Sequence, residues 1–248
     1  MCTVIVRVPE RADEAVRLIA VRDEDPTRSW EPLGTWWPEA YPDTVGVRDN
    51  RAGGAWLAAD LAAHRLAVVL NRADLSDRGD DEVTTRGHLA LEAAAGRPPA
   101  AEPTTRGFNL VEVTPGTVRV VSWDGRQRRE QTLAPGIHMV AHDEVDDPAT
   151  PRIAAWLDRF RDAGPSADAR DWFDAWLDVL DASAALAPQD DRAIVRDNRP
   201  FGYPTQSLLL CLASVDRDGV DVRYGEFDEP GHWQRAAVGQ VTAASTPR

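Results

Sequence analysis

Cys2-Thr3-Val4-Ile5-Val6-Arg7-Val8 is a β-branched run in which polar and apolar positions alternate, and Val16-Arg17-Leu18-Ile19-Ala20-Val21 is a second short apolar run. Both read as strands, because a period of two places one set of side chains on each face of a sheet. Residues 9–15 between them are polar and contain Pro, Asp and Glu, which predicts an antiparallel hairpin. Further strands are expected over 44–48, 54–59, 65–71, 108–113, 117–123 and 127–133, with a closing meander over 208–215, 220–224 and 233–238. Asp124-Gly125 and Asp218-Gly219 supply turns within this pattern. A helix is expected over 84–95. Two more are marked by helical spacing: Ile153, Trp156, Leu157 and Phe160 within 152–162, and Trp172, Phe173, Trp176, Leu177 and Leu180 within 169–180. The stretch after residue 22 reads as a loop rich in Pro and Trp. Strands followed by helices and strands again suit layered antiparallel sheets, an α+β class, better than a βαβ repeat. A length of 248 residues with 43% hydrophobic content suits one domain over residues 1–248.

The hairpin has a chemical consequence at its open end. If Val8 pairs near Val16, the ladder runs back until Cys2 lies opposite Arg22 and beside Asp23. Removal of Met1 would leave Cys2 with a thiol and an α-amine of pKa about 8 on one residue, a nucleophile with its own base. A neighbouring cation lowers a thiol pKa, and a carboxylate can orient the amine. The alternative is that Cys2 is a small buried residue on an edge strand and Arg22-Asp23 a solvated turn. Val-Arg-Asp recurs at Val47-Arg48-Asp49 and Val195-Arg196-Asp197, so the tripeptide alone decides nothing.

Other segments add to this start. Met1-Cys2-Thr3 and Leu18-Ile19-Ala20-Val21-Arg22-Asp23-Glu24 are followed in order by Gly53-Gly54-Ala55-Trp56-Leu57, Leu70-Asn71-Arg72, Thr85-Arg86-Gly87-His88-Leu89, Gly107-Phe108-Asn109-Leu110 and Phe201-Gly202-Tyr203-Pro204-Thr205-Gln206-Ser207. This series resembles the NRDE family, also called the transport and Golgi organisation protein 2 family. The resemblance departs at Val21, where the family motif has Asn, at Pro204, where it has Arg, and at His142, near an expected Asn. It implies an Ntn-hydrolase-like αββα sandwich of two antiparallel sheets with helices outside, and it associates the chain with haem trafficking or with lipid and acyl-CoA metabolism.

Two functions are therefore expected. The first is an amidohydrolase acting on a non-peptide amide or acyl bond through a thioester. In it Cys2 is the nucleophile, Arg22 stabilises charge, Asp23 orients the amine and Asn71, at the end of an apolar strand, donates to an oxyanion, a role worth about 3 kcal/mol; the alternative for Asn71 is to start a turn before Arg72-Ala73-Asp74. The second is a carrier on the same fold that holds haem or an acyl conjugate without breaking it. Trp36, Trp37 and Asn109 are the candidate substrate contacts. The alternative for the two tryptophans, with Trp30 and Tyr41, is to cover the edge of the core, and for Asn109 to be a polar residue at a sheet edge.

Composition narrows the partners. A net charge of −13 opposes binding to phosphate backbones, so nucleic acid is not an expected partner. The sequence contains no Lys, which excludes Schiff-base chemistry and a Walker-type phosphate loop. No apolar run approaches the roughly 20 residues of a membrane span, and no charged leader precedes an apolar core, so a cytoplasmic protein is expected. Cys211, within Leu208–Leu212, reads as a buried small hydrophobe. His138, His142, Asp143 and Glu144 raise the question of a metal, but Pro135-Gly136 favours strand or loop, where a His-x-x-x-His pair lacks the shared face of a helix; no metal and no cofactor are expected.

Overall fold

A computed structural model describes residues 2–164 and 172–235. Among these residues the chain forms two antiparallel sheets and three α-helices. The strands are β1 Thr3–Val8, β2 Val16–Glu24, β3 Trp30–Gly34, β4 Thr44–Asp49, β5 Ala55–Asp60, β6 Arg65–Asn71, β7 Phe108–Thr114, β8 Thr117–Trp123, β9 Arg128–Thr132, β10 Gly136–Val140, β11 Gln206–Val215 and β12 Val220–Glu226. The helices are α1 Gly87–Ala94, α2 Pro151–Asp162 and α3 Asp174–Ser183. One sheet has the order β10-β1-β2-β11-β12 and the other runs β3-β4-β5-β6-β7-β8-β9.

The period of two in β1 and β2 explains how the layers pack. Val4, Val6, Val8, Leu18 and Ala20 enter a core shared with the seven-stranded sheet, while Ile5, Ile19 and Val21 point the other way. That second face is covered by Ile153, Leu157 and Phe160 of α2 and by Trp176, Leu177 and Leu180 of α3. Successive residues of one strand thus serve two different cores, as the alternation of Cβ directions requires. Helix α1 lies on β5 and β6 of the larger sheet. Its approach depends on Gly54, where a Cβ would stand 2.2 Å from the carbonyl carbon of Gly87.

Several boundaries differ from the expectations. Trp30–Gly34 is a strand, not a loop: Trp30 and Glu31 pair with Asp49 and Arg48, and an irregularity carries the strand past Pro32 before Gly34 meets Gly46. The helix expected over 84–95 begins at Gly87, because Thr84 bridges to Thr105 instead. The third helix begins at Asp174, leaving Trp172 and Phe173 before its first turn, and residues 169–171 of the expected span lie outside the described residues. Trp233–Arg235 is not strand, and residues 236–238 of that expected strand also lie outside the described residues. Gly136–Val140 forms the strand that flanks β1, so His138 sits in a sheet. No described helix is long and apolar enough to cross a membrane.

Candidate functional site

The hairpin β1–β2 pairs Thr3 with Val21 and Arg7 with Arg17, so the same register carried one step back sets Cys2 opposite Arg22. Around this end of the sheets gather the last residues of β2, β4 and β6, the first of β5 and the start of α1, enclosing a cavity of about 450 Å³. Cys2, Arg22, Asp23 and Asn71 all line it. So do Glu24, Arg28, Asp49, Arg51, Trp56, Arg86 and Arg106, none of which was singled out from the sequence as a site residue.

Two β-bulges shape the walls. The β4–β5 register slips between Val47/Leu57 and Arg48/Ala55, leaving Trp56 as the extra residue. The β2–β11 register slips in the same way at Leu208, beside Ser207 and Asp23. An unpaired extra residue bends its strand and re-aims the side chains next to it, and both bulges lie at the cavity end of their ladders.

Each group in the wall has a defined setting. The Cys2 thiol donates to the Asp23 carbonyl at 3.6 Å and accepts the Asp23 N–H at 3.4 Å. Burial, and then the Asp23 carboxylate, push its pKa above the usual thiol value, and the opposing pull of Arg22 is smaller. The thiol is therefore held neutral, contrary to the expectation that Arg22 makes it a thiolate. Arg22 itself, 2% exposed, is shared between Glu24 and Asp49 at 3.6 Å each and lies 5.9 Å over the Trp30 ring. Arg28 joins the same carboxylates, at 2.6 Å from Asp49. The Asp23 carboxylate accepts from Ser207 Oγ at 2.6 Å and from Asn198 Nδ2 at 3.1 Å. The expected role of an α-amine on Cys2 depends on residue 1, which lies outside the described residues.

The three expected substrate contacts lie elsewhere. Trp36 donates to the Pro32 carbonyl and Trp37 to the Gly53 carbonyl, each at 2.8 Å, and neither lines the cavity. Asn109 is fully buried in β7, where it ties the two sheets together. Its Nδ2 donates to the carbonyls of Ala141 (2.9 Å) and Asp143 (2.8 Å), just beyond β10, and its Oδ1 accepts from Ser122 Oγ (2.7 Å). It is a cross-sheet pin, not a residue at a sheet edge. His138 is occupied on both ring nitrogens, by Asp146 at 2.7 Å and the Ala134 carbonyl at 2.9 Å. Cys211 is buried in β11 and unbonded to Cys2, with its thiol pKa raised by burial.

The wall residues missed from the sequence had a signal in the order of the matched segments. Glu24, Trp56 and Arg86 each belong to one of those segments, and Arg106 immediately precedes another. Five of the seven segments, all but those over 107–110 and 201–207, contribute residues to the cavity wall.

A search of the curated proteins finds no match. The model of the family described as Transport and Golgi organisation 2 matches residues 1–209. This finding overturns the amidohydrolase expectation and the N-terminal-cysteine chemistry attached to it, since it supports a trafficking-associated, non-catalytic role. The neutral, buried Cys2 thiol agrees with that correction. With the match extending over residues 1–209 of 248, the chain belongs to the Transport and Golgi organisation 2 family.

Proposed function

We propose that this protein is a non-catalytic small-molecule binder serving a trafficking process, with the Cys2 cavity as its ligand site. The observation that carries this reading is a walled cavity of about 450 Å³, in the size range of small-molecule sites, whose thiol is held neutral. Binding without bond breaking is what such a wall supports. In this reading Cys2, Arg22, Asp23 and Asn71 contact or position the ligand, and the Asp23–Ser207–Asn198 hydrogen bonds keep the wall rigid. We further propose that the layers form an Ntn-hydrolase-like αββα sandwich within a single domain, used here as a container, and that the protein works in the cytoplasm, in keeping with its two free cysteines.

Haem and an acyl conjugate are the two ligand classes to separate. No histidine lines the cavity among the described residues, so an iron porphyrin entering it would meet only the neutral Cys2 thiol as an axial ligand. That favours the acyl conjugate. The test is titration of the purified full chain with haemin, followed by absorbance, and with an acyl-CoA, followed by calorimetry. Cys2 alkylation is mapped by mass spectrometry in parallel. Saturable binding that protects Cys2 from alkylation is the expected result. Absence of heat, spectral change and protection with both ligands would refute the reading.

A further inference from the structure

The cavity wall carries more positive charge than the wall itself neutralises, in a protein whose net charge is −13. Five arginines line it (Arg22, Arg28, Arg51, Arg86 and Arg106) against three carboxylates, Asp23, Glu24 and Asp49. Glu24 and Asp49 are taken up by Arg22 and Arg28, and Asp23 accepts hydrogen bonds from Ser207 and Asn198. Arg86 donates to the Gly107 carbonyl at 2.8 Å and has no carboxylate within ion-pair distance among the described residues. Its burial lowers its pKa, outweighing the opposing pull of the Glu24 and Asp74 carboxylates.

Two buried donors in the same wall are also unsatisfied. Arg22 Nη1 and Trp56 Nε1 have no hydrogen-bond partner among the described residues, although their side chains are only 2% and 6% exposed. Buried donors of this kind are rarely left unpaired, and a bound water or ion is one of the recognised reasons. The start of α1 reaches the same place: Thr84, Thr85, Arg86 and Gly87 are all wall residues, and the positive end of a helix favours an anion.

We propose that the cavity binds the oxyanion head of its ligand, a phosphate or a carboxylate, between Arg86, the donors of Arg22 and Trp56, and the first turn of α1. The inference rests on the ligand-binding reading above and specifies the chemistry of the ligand. A guanidinium can take two oxygens of such a head at once, which a neutral ligand cannot offer. The negative field of the rest of the protein repels anions at long range, so selectivity arises within the cavity, whose wall includes Arg86, Arg22 and Trp56.

The test uses the full-length protein and three probes: inorganic phosphate, octanoate and the neutral methyl octanoate, measured by calorimetry and by the indole N–H resonance of Trp56. Trp56→Phe assigns that resonance and removes the donor while keeping the ring. Expected is saturable binding of phosphate or octanoate with a dissociation constant of about 1 mM or tighter, with the Trp56 N–H signal moving as the site fills. Whichever anion binds identifies the head group. Arg86→Gln is expected to weaken it at least tenfold, Arg86→Lys less, and Trp56→Phe about threefold or more, with thermal unfolding checked for each variant. Methyl octanoate binding as well as octanoate, or anion binding indifferent to Arg86→Gln, overturns the oxyanion proposal and leaves the ligand-binding reading standing. Failure of all three probes, together with failure of haemin and acyl-CoA, overturns both.

Discussion

Replacing Asn109 with Leu should destabilise the fold sharply while leaving the cavity intact. The two side chains are close in size, so the change removes hydrogen bonds without opening a large void. Asn109 holds four groups, of which the Ala141 carbonyl and the Ser122 hydroxyl are themselves buried. Each buried polar group left without a partner costs about 1–3 kcal/mol, so these two give roughly 4 kcal/mol together. The Asp143 carbonyl and the Arg72 guanidinium lie nearer water and add less. In a chain of this size each kcal/mol lowers Tm by about 2–4 °C, which predicts a fall of roughly 8–16 °C. Urea unfolding followed by both far-UV circular dichroism and tryptophan fluorescence measures the difference. Because Ser122 is one of the abandoned partners, adding Ser122→Ala to Asn109→Leu should recover about 1 kcal/mol. A loss under 1 kcal/mol for Asn109→Leu would show that the two sheets are not held together through this residue, and no recovery in the double variant would show that Ser122 is not a group it satisfies.

Gly54→Ala should cost about 3 kcal/mol or more, because the new methyl meets the Gly87 backbone at 2.2 Å, whereas Gly219→Ala, with open space around it, should change stability by under 1 kcal/mol; equal effects in thermal melts would refute the close approach of α1. Alkylation of Cys2 by iodoacetamide should be slower at pH 8 than that of a short cysteine peptide, with its rise displaced to higher pH, since the thiol pKa is raised by burial; a rate matching the peptide would contradict a neutral buried thiol. His138 has its pKa raised above 6.5 by the hydrogen bond to Asp146, so its contribution to stability is fully present below pH 6.5 and is lost as pH rises through the raised folded value. Asp146→Asn should flatten that dependence between pH 6 and 8, and urea midpoints across the range decide it.

The β1–β2 hairpin, and with it the meeting of Cys2 with Arg22 and Asp23, was legible in the sequence because a hairpin register is local. Once the connection over residues 9–15 is placed, each residue of one strand has one partner on the other. The same holds for the strands around Asp124-Gly125 and Asp218-Gly219, where turn and alternation agree. Trp30–Gly34 was not legible, because Pro32 argues against a strand and only its partner β4 supplies the ladder. Asn109 reads as an edge residue from its own strand, and its burial follows from a second sheet whose Ala141 and Asp143 are distant in sequence.

The cavity belongs to tertiary structure almost entirely. Alternating residues of β1 and β2 announce two buried faces, but not which arginines stand at the end of the sandwich. Arg28, Arg86 and Arg106 come together because two sheets stack and α1 docks at Gly54, and a bulge places Trp56 in the same wall. Charge and burial at that point are sums over segments remote in the chain, and they decide that Cys2 is a neutral thiol. The sequence alone determined that Cys2, Arg22 and Asp23 are neighbours. Their surroundings, which only the packed layers create, determined what those neighbours can do.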